Sequence, residues 1–167
     1  AINKGYTDFG HIGGYQQVSI GLHRFQGFLR ALETHGLEPA ENHLVFGGFS
    51  RIDGSAGLDI LRERGALPQI IFAVTYPVAL GVLLRSRALG IRIPEDLDLV
   101  CFGSSDYNQL ISPSITGINQ PAAEIGVLAL TNLLEQIENP SKLHENNIIV
   151  PVKINQGQTC IGPGKQA

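Results

Sequence analysis

The stretch from Gly90 to Gly103, GIRIPEDLDLVCFG, indicates the fold class of this chain. It follows a predicted helix end at Leu89, and Pro94 then leads into an apolar strand from Leu97 to Phe102. This strand opens directly onto the small residues of positions 103–105, a glycine and two serines. Open α/β sheets bind their ligands at the carboxyl ends of their strands. The stretch therefore predicts one strand of a ligand-binding α/β sheet.

Strands and helices alternate along the first hundred residues. Apolar runs bounded by glycine predict the strands, and apolar residues at helical spacing predict the helices between them. The strands are Phe9–Ile12, Leu44–Phe46, Ile70–Val74 and Leu97–Phe102, and the helices span about 19–35, 52–64 and 75–89. This alternation predicts an α/β fold with a parallel sheet flanked by helices on both faces. Its glycine-, serine- and threonine-containing loops should line one edge as a ligand crevice.

The pattern changes after Ser112. A short extended segment from Ile115 to Asn119 precedes a helix that Pro121 opens and that lasts to about Glu138. Two closing strands are then predicted, at Ile148–Val152 and Thr159–Ile161.

Composition excludes several classes of protein. The 167 residues suffice for one domain with a core, and the net charge is −3 with Lys and Arg scattered, which argues against direct contact with nucleic acid. We find no apolar run of membrane length and no secretory signal, so we expect a cytoplasmic protein without a membrane partner. The first residues, AINKGY, look like the last turn of a helix that Gly5 ends, and we interpret the chain as a fragment.

Residue types that carry catalysis or metal binding do not form a recognisable pattern. Cys101 and Cys160 stand in strand-like apolar surroundings typical of buried free thiols, and the five histidines are scattered, so no metal site is expected. The glycines after the first strand lack dinucleotide-turn spacing, and no nucleophile elbow or phosphate loop is present, so no cofactor is expected. We therefore favour a binding module over an enzyme. An enzyme on a doubly wound sheet stays the alternative. It would need a nucleophile or a cofactor loop, and catalytic groups converging at Ser104 in the structure would support it.

Four segments resemble the effector-binding module of the lactose/galactose-repressor family of transcriptional regulators. The opening stretch is similar to its signature G-x-x-(I/V)-P-x-D-(I/V)-x-(V/L)-V-x-F. The other three segments are HRFQGF at 23–28, IIFAVTYPVALGVLLRSRALG at 70–90 and SPSITGINQPAAEIG at 112–126. Because these motifs occur in order along nearly the whole chain, the resemblance is far more specific than a single glycine loop.

The resemblance implies a two-lobed, periplasmic-binding-protein-like module in which lobes hinge around a ligand. Residues 1–118 would form the main part of the C-terminal lobe, and residues 119–146 a crossover, at Asn119–Gln120, and a helix belonging to the otherwise missing N-terminal lobe. Residues 147–167 would be closing strands that return to the C-terminal lobe. Without its usual sheet, the Pro121 helix should be disordered, displaced or covered by a neighbouring chain. We also expect weak effector binding by the fragment alone.

The resemblance points to five effector-binding residues, each with a structural alternative. Arg24 matches an arginine that typically contacts the effector, although a surface arginine is commonly solvated. Ser19 falls in the first effector loop, or it caps the following helix. Phe49 follows Gly47-Gly48 and would stack on a sugar or base, or it folds back into the core. Tyr76 and Ser104 occupy the loops after the third and fourth strands.

Tyr76 and Ser104 are also where the sequence departs from the family. Family members commonly carry Asn-Asp at Thr75-Tyr76, and Gly-Phe-Asp where this chain has Cys101-Phe102-Gly103 followed by Ser104. Two carboxylates that usually bind sugar hydroxyls are therefore missing while Arg24 is kept. This pattern favours a phosphorylated sugar or another anion, and a site that has drifted away from sugars is the rival explanation.

The function that the resemblance implies is the ligand-sensing part of a DNA-binding regulator. It would bind a small sugar or sugar-phosphate effector and alter operator affinity. DNA would be contacted only through a helix-turn-helix headpiece absent from this chain, and a homodimer is expected. A periplasmic sugar-binding receptor of a transport system is the alternative with the same architecture.

Overall fold

The computed structural model describes residues 1–65, 67–140 and 147–163. Strands and helices alternate along the first hundred residues, and two strands follow each other after that. The elements are β1 (Phe9–Gly13), α1 (Ser19–Glu33), β2 (Leu44–Phe46), α2 (Arg51–Glu63), β3 (Ile70–Ala73), α3 (Tyr76–Ala88), β4 (Asp98–Phe102), β5 (Thr116–Asn119), α4 (Ala122–Glu138) and β6 (Lys153–Asn155). None of these helices is both long enough and apolar enough to cross a membrane.

The strands form one mixed sheet in the order β2-β1-β3-β4-β5-β6. Strands β1 to β5 pair in parallel, and β6 pairs antiparallel with β5 at the edge. The predicted α/β fold with a parallel sheet is confirmed. The loops that leave β1, β2, β3 and β4 consequently emerge at the same edge of the sheet.

One face of the sheet is closed by α2 and α3. Alternate strand residues point to this face because successive side chains in a strand point to opposite sides. They are Ile12, Ile71, Ala73, Leu99 and Cys101, and they form one buried cluster with Leu58, Leu61, Val78 and Val82 of the two helices. The helices approach closely at two glycines. A Cβ at Gly54 would lie 2.0 Å from the Val78 carbonyl oxygen, and one at Gly81 would lie 2.0 Å from the Arg51 carbonyl oxygen.

The opposite face carries α1, which packs on the sheet through a buried histidine. The His11 ring stacks on Phe25, Phe28 and Phe72 at centroid distances of 5.3, 5.1 and 5.4 Å. Its Nδ1 lies 2.9 Å from the Phe72 carbonyl oxygen, which can only accept, so Nδ1 carries the proton. Burial lowers the pKa of His11 to about 4, and the ring is neutral at pH 7.

Both cysteines are buried free thiols, as predicted. Cys101 lies in the closed face, and burial raises its pKa to about 12, so the thiol stays neutral. Cys160 packs in a buried cluster with Tyr6, and its Sγ lies 3.5 Å from the Tyr6 hydroxyl oxygen.

The carboxyl-terminal third differs from the prediction. Neither Ile148–Val152 nor Thr159–Ile161 is a strand, and the edge strand is β6 instead. Because β6 is exposed along its length and held by backbone pairing with β5, it has no apolar pattern to predict it. The closing segment is described only to residue 163, and residues 141–146 also lie outside the described chain.

α4 is a regular helix that buries none of its residues. The expectation that it is disordered is wrong, and the alternatives of displacement or cover by a neighbouring chain stay predictions. Its exposed apolar side chains are Ile125, Val127, Leu130, Leu133, Leu134 and Ile137.

The neutral His11 predicts a loss of stability in acid. Its folded-state pKa of about 4 is below the unfolded value, so the unfolded chain binds a proton first as the pH falls. Stability should therefore decline from about pH 6.5 towards pH 4, by about 2–3 kcal/mol at pH 4.5. Urea unfolding of the natural chain and of His11→Leu at pH 7.0 and 4.5 checks this. Between pH 7.0 and pH 4.5, the variant should lose about 2–3 kcal/mol less stability than the natural chain. Equal losses would contradict the assignment of His11 as a neutral buried ring.

Candidate functional site

The candidate site lies at the carboxyl edge of the sheet, above the point where the strand order reverses. β2 follows β1 on one side and β3 lies on the other, so the loops after β1 and β3 leave the edge in opposite directions. Open α/β sheets bind ligands in the crevice that this reversal creates. The loops concerned are residues 14–18, 47–50, 74–75 and 103–105.

Arg24 reaches this crevice from the second turn of α1. Its Nη1 donates to the Val74 carbonyl oxygen at 2.8 Å, directly after β3. Its guanidinium carbon lies 4.0 Å from the centroid of the Phe102 ring, at the end of β4. Burial lowers the pKa of Arg24, but an arginine stays charged in proteins. A half-buried cation with further N–H donors can bind a carboxylate or a phosphate in forked geometry.

Tyr76 begins α3, and its hydroxyl is held by the loop after β4. The hydroxyl donates to Asn108 Oδ1 at 3.3 Å. Asn108 is fixed in turn by the backbone of Ile115, because Oδ1 accepts from its N–H at 2.8 Å and Nδ2 donates to its carbonyl oxygen at 2.9 Å. Burial raises the pKa of Tyr76, so the side chain is neutral. Tyr76 therefore presents an aromatic ring and a hydroxyl in a fixed position, with no charge.

Ser104 lies in the loop after β4, next to the end of β5. Its Oγ donates to Asn119 Oδ1 at 2.7 Å, and Asn119 is the last residue of β5. The candidate loop after β4 is thus tied to the position where the sequence predicts the crossover between lobes. A ligand that accepted a hydrogen bond from the Ser104 hydroxyl would compete with the bond to Asn119.

Phe49 packs against the core of the closed face and also faces the loop after β1. Its ring meets Tyr15 edge-on at 5.9 Å, and a Cβ at Gly14 would overlap it. Its carbonyl oxygen accepts from Thr75 Oγ1 at 3.2 Å, which joins the loops after β2 and β3. Phe49 therefore belongs both to the core and to the wall of the crevice.

Ser19 is the first residue of α1 and is exposed. The interpretation of Ser19 as a helix cap is wrong, because Val18 is the N-cap and α1 has no side-chain capping bond. The five predicted residues all lie on the carboxyl side of the sheet, and Arg24, Phe49, Tyr76 and Ser104 are each hydrogen-bonded to a neighbour rather than to another of the five.

The loops that form the crevice carry no negative charge of their own. The four loops at 14–18, 47–50, 74–75 and 103–105 contain no Asp or Glu. Asp53, which follows the second loop, accepts from the backbone N–H and hydroxyl of Ser50 in a capping box, and these bonds lower its pKa. Within the described chain, no group of three or more His, Cys, Asp or Glu residues is placed to hold a metal ion.

Sequence reasoning missed Asn108, Asn119 and Tyr15 as parts of this site. Asn119 stood in a segment with a family resemblance, but nothing in its neighbourhood pointed to Ser104, fifteen positions earlier in the chain. Tyr15 gave a usable signal, since a tyrosine directly after Gly13-Gly14 at a strand end is exposed to the crevice.

The chain matches known proteins along almost its full length. A family model for the periplasmic binding protein-like domain matches residues 1–160. The ribose operon repressor of Haemophilus influenzae is 28% identical over 150 residues, which cover 90% of this chain and 45% of that repressor. The HTH-type transcriptional repressor PurR of Serratia proteamaculans is 29% identical over 164 residues, covering 97% of this chain and 48% of that protein. The chain spans about half the length of these curated relatives.

A solved structure of a transcriptional regulator has the same fold as this chain. The transcriptional regulator CelR, in its complex with cellobiose, matches with a TM-score of 0.87 at 26% identity over 95% of this chain and 48% of that chain. These matches confirm the resemblance to the lactose/galactose-repressor family that the sequence motifs indicate.

The Tyr76–Asn108–Ile115 bonds predict unequal effects of two substitutions. Asn108→Ala leaves the Ile115 N–H and carbonyl oxygen without their partner and should destabilise the chain by about 2 kcal/mol. Tyr76→Phe removes one 3.3 Å bond and should cost less than about 1 kcal/mol. Urea unfolding with hydrogen exchange of residues 103–115 measures both. Faster exchange of this loop in Asn108→Ala alone is expected, and an equal effect of the two variants would contradict the assignment.

Proposed function

The chain belongs to the family of periplasmic binding protein-like domains, and on that premise we propose that it is the ligand-sensing part of a DNA-binding transcriptional regulator. Its effector is a small sugar or sugar phosphate that alters operator affinity. The observation that carries the proposal is Arg24, a half-buried cation held between the ends of β3 and β4, next to the reversal of strand order between β1 and β3.

Each candidate residue has a role that its surroundings support. Arg24 binds the charged or most polar group of the effector. Phe49, packed with Tyr15 on one side of the crevice, offers a ring edge or face to an apolar surface of the ligand. Tyr76 and Ser104 supply hydroxyls that are already oriented by Asn108 and Asn119. Ser19 contributes a hydroxyl that no helix-capping bond occupies.

Of the two effector classes, a neutral sugar and a sugar phosphate, we favour the anionic sugar phosphate. The four crevice loops themselves contain no carboxylate to repel a phosphate, with Asp53 and Asp106 following in the next elements, and Arg24 provides forked donors. The first relative is named a ribose operon repressor, and the second is named an HTH-type transcriptional repressor. The CelR structure is a complex with cellobiose. A sugar-derived ligand is consistent with these names.

The lobe assignment of the chain is part of the proposal. Residues 1–118 form most of the C-terminal lobe, residues 119–146 cross to the N-terminal lobe with α4, and residues 147–167 return. The bare apolar side of α4 supports this, because leaving Leu and Ile side chains in water costs roughly 1.5–3 kcal/mol each. In a full-length protein of the relatives' size, the second lobe would cover that side.

The mechanism is a shift of population between two lobe arrangements. The effector binds one arrangement more tightly, and a homodimer passes the difference to paired helix-turn-helix headpieces on a two-fold operator. Such coupling amounts to about 1–3 kcal/mol. The Ser104–Asn119 hydrogen bond lies on the route between effector loop and crossover. This regulator works in the cytoplasm and needs no cofactor or membrane partner.

A transport receptor with the same architecture is the second candidate, and the relatives favour the regulator. The relatives named above are repressors, and their names include the HTH-type DNA-binding class. An enzyme is not favoured, since the crevice, as far as the chain is described, holds an arginine, aromatic rings and hydroxyls but no nucleophile paired with a base.

Effector binding by the full-length protein tests the proposal through Arg24. Arg24→Ala should weaken binding of ribose 5-phosphate about 10- to 100-fold, because it removes charge-assisted hydrogen bonds. Arg30→Ala is the matched control, since Arg30 lies on the same helix but at its exposed last turn, and it should leave binding unchanged. Titration calorimetry with ribose, ribose 5-phosphate and cellobiose measures both variants.

Two results would count against the proposal. Binding of neutral sugars but not of phosphorylated ones would overturn the anionic class of the effector. Equal binding by the natural protein and Arg24→Ala would remove Arg24 from the site.

A further inference from the structure

The charge of Arg24 is held by neutral groups alone. Its Nη1 donates to the Val74 carbonyl oxygen at 2.8 Å, and its guanidinium carbon lies 4.0 Å from the centroid of the Phe102 ring. The ion pairs of the described residues join other side chains, and none of them includes Arg24. A half-buried cation gives up part of its hydration, and an opposite charge normally compensates for that loss. Within the described chain, Arg24 therefore keeps a positive charge that no anion balances.

The backbone of the loop after β4 disfavours a carboxylate directly beside this contact. Gly103 follows Phe102 and has a φ of 104°, a conformation that residues with a side chain rarely adopt. An aspartate at this position would be strained. The next residue, Ser104, donates its hydroxyl proton to Asn119 instead of facing the arginine with a charge. The loop thus leaves the charge of Arg24 for a partner from outside it.

The Phe102 ring fixes the plane of the guanidinium. The face of an aromatic ring is electron-rich and attracts a cation, most strongly where water is excluded. Phe102 is the last residue of β4 and is half-buried, so the sheet holds its backbone in place. The Val74 carbonyl oxygen sets the rotation within that plane, because it accepts from Nη1. Both the plane and the rotation of the guanidinium are therefore set before a ligand binds.

These two contacts leave one edge of the guanidinium unused. Nε and Nη2 lie on the edge opposite Nη1, and neither donates a hydrogen bond to the described residues. Their N–H groups form a rigid fork that matches two oxygens of a carboxylate or a phosphate. Because the orientation of the fork is already set, an oxyanion that binds it avoids the cost of ordering a long side chain.

We propose that Phe102 is a positioning residue of the effector site, whose ring holds the Arg24 guanidinium so that Nε and Nη2 together bind one oxyanion of the effector. This inference rests on the proposed function in placing the effector at Arg24. A sugar phosphate and a sugar acid share the required chemistry, since each presents two oxygens on one charged group. Lysine could not replace Arg24, because its ammonium is a point charge without a fork.

Nitrogen NMR of the Arg24 guanidinium tests the positioning without a ligand, in the 167-residue chain. Hindered rotation gives separate signals for Nη1 and Nη2, whereas free rotation merges them. We expect separate signals in the natural chain and in Phe102→Tyr, which keeps the ring, and merged signals in Phe102→Leu. Phe46→Leu is the matched control, because Phe46 ends β2 as Phe102 ends β4, and its ring contacts Phe25 and His11. It should keep the separate signals.

Pentafluorophenylalanine at position 102 distinguishes attraction by the ring face from simple packing. It keeps the shape of the ring, but the fluorine atoms withdraw electrons from the face, so the attraction for the guanidinium is lost. Merged Arg24 signals are expected here as in Phe102→Leu. Separate signals would mean that the ring acts by its shape alone, and would overturn the positioning role.

Oxyanion binding is measured by titration calorimetry of the full-length protein with ribose 5-phosphate, ribonate and ribose. Phe102→Leu should weaken binding of the phosphate or carboxylate probe about 5- to 30-fold, the loss expected for a desolvated cation–π contact, and should leave ribose binding unchanged. Arg24→Lys should weaken binding of the same probe at least as much, because the fork is lost while the charge is kept. Phe46→Leu should bind all three probes like the natural protein.

The outcomes separate this inference from the proposed function. Ribose 5-phosphate binding that is equal in the natural protein and Phe102→Leu, or that Arg24→Lys retains in full, would overturn this inference alone. Binding of ribonate but not of ribose 5-phosphate, weakened by Phe102→Leu, would support this inference and overturn the sugar-phosphate class of the proposed function. Binding of ribose alone would overturn both.

Discussion

Parallel backbone pairing of β1 with β2 on one side and β3 on the other organises the whole molecule. Residues 9–12 of β1 pair with Ile70–Ala73 of β3, while His11–Gly13 pair with Leu44–Phe46 of β2. Since connections must leave β1 and β3 in opposite directions, the crevice between their loops stays open. Arg24 then reaches it because α1 returns across the sheet directly after β1. The polar chemistry of the site follows from the order of the strands.

The two faces of this sheet differ in completeness, and the difference explains its exposed apolar surface. The α2–α3 face is closed so tightly that Gly54 and Gly81 leave no room for a methyl group. The α1 face is closed over β1 and β3 by stacked rings around His11, but open over β4 and β5. α4 adds a second apolar surface without a neighbour in the described chain.

Local patterning predicted the first hundred residues well, because each strand and helix there buries one face against the sheet. Thr75 caps α3 by accepting from the Val78 N–H, and Pro77 stands in its first turn; both features depend on neighbours in sequence and can be read from it. β6 was not predictable, because its exposed side chains leave only backbone pairing. In the site, family motifs indicated Arg24, Phe49, Tyr76 and Ser104. Their partners Asn108 and Asn119 depend on long-range geometry, which no local pattern contains.

The central claim is that the crevice at the reversal of strand order binds the effector, and a structural experiment tests it directly. The decisive measurement is a crystal structure of the full-length protein grown with ribose 5-phosphate. We expect electron density for the phosphate at the Arg24 guanidinium, with the sugar between the loops that follow β1 and β3. Density for the ligand at another place on the molecule, with the Arg24–Val74 contact unchanged and the crevice empty, would contradict the proposed site.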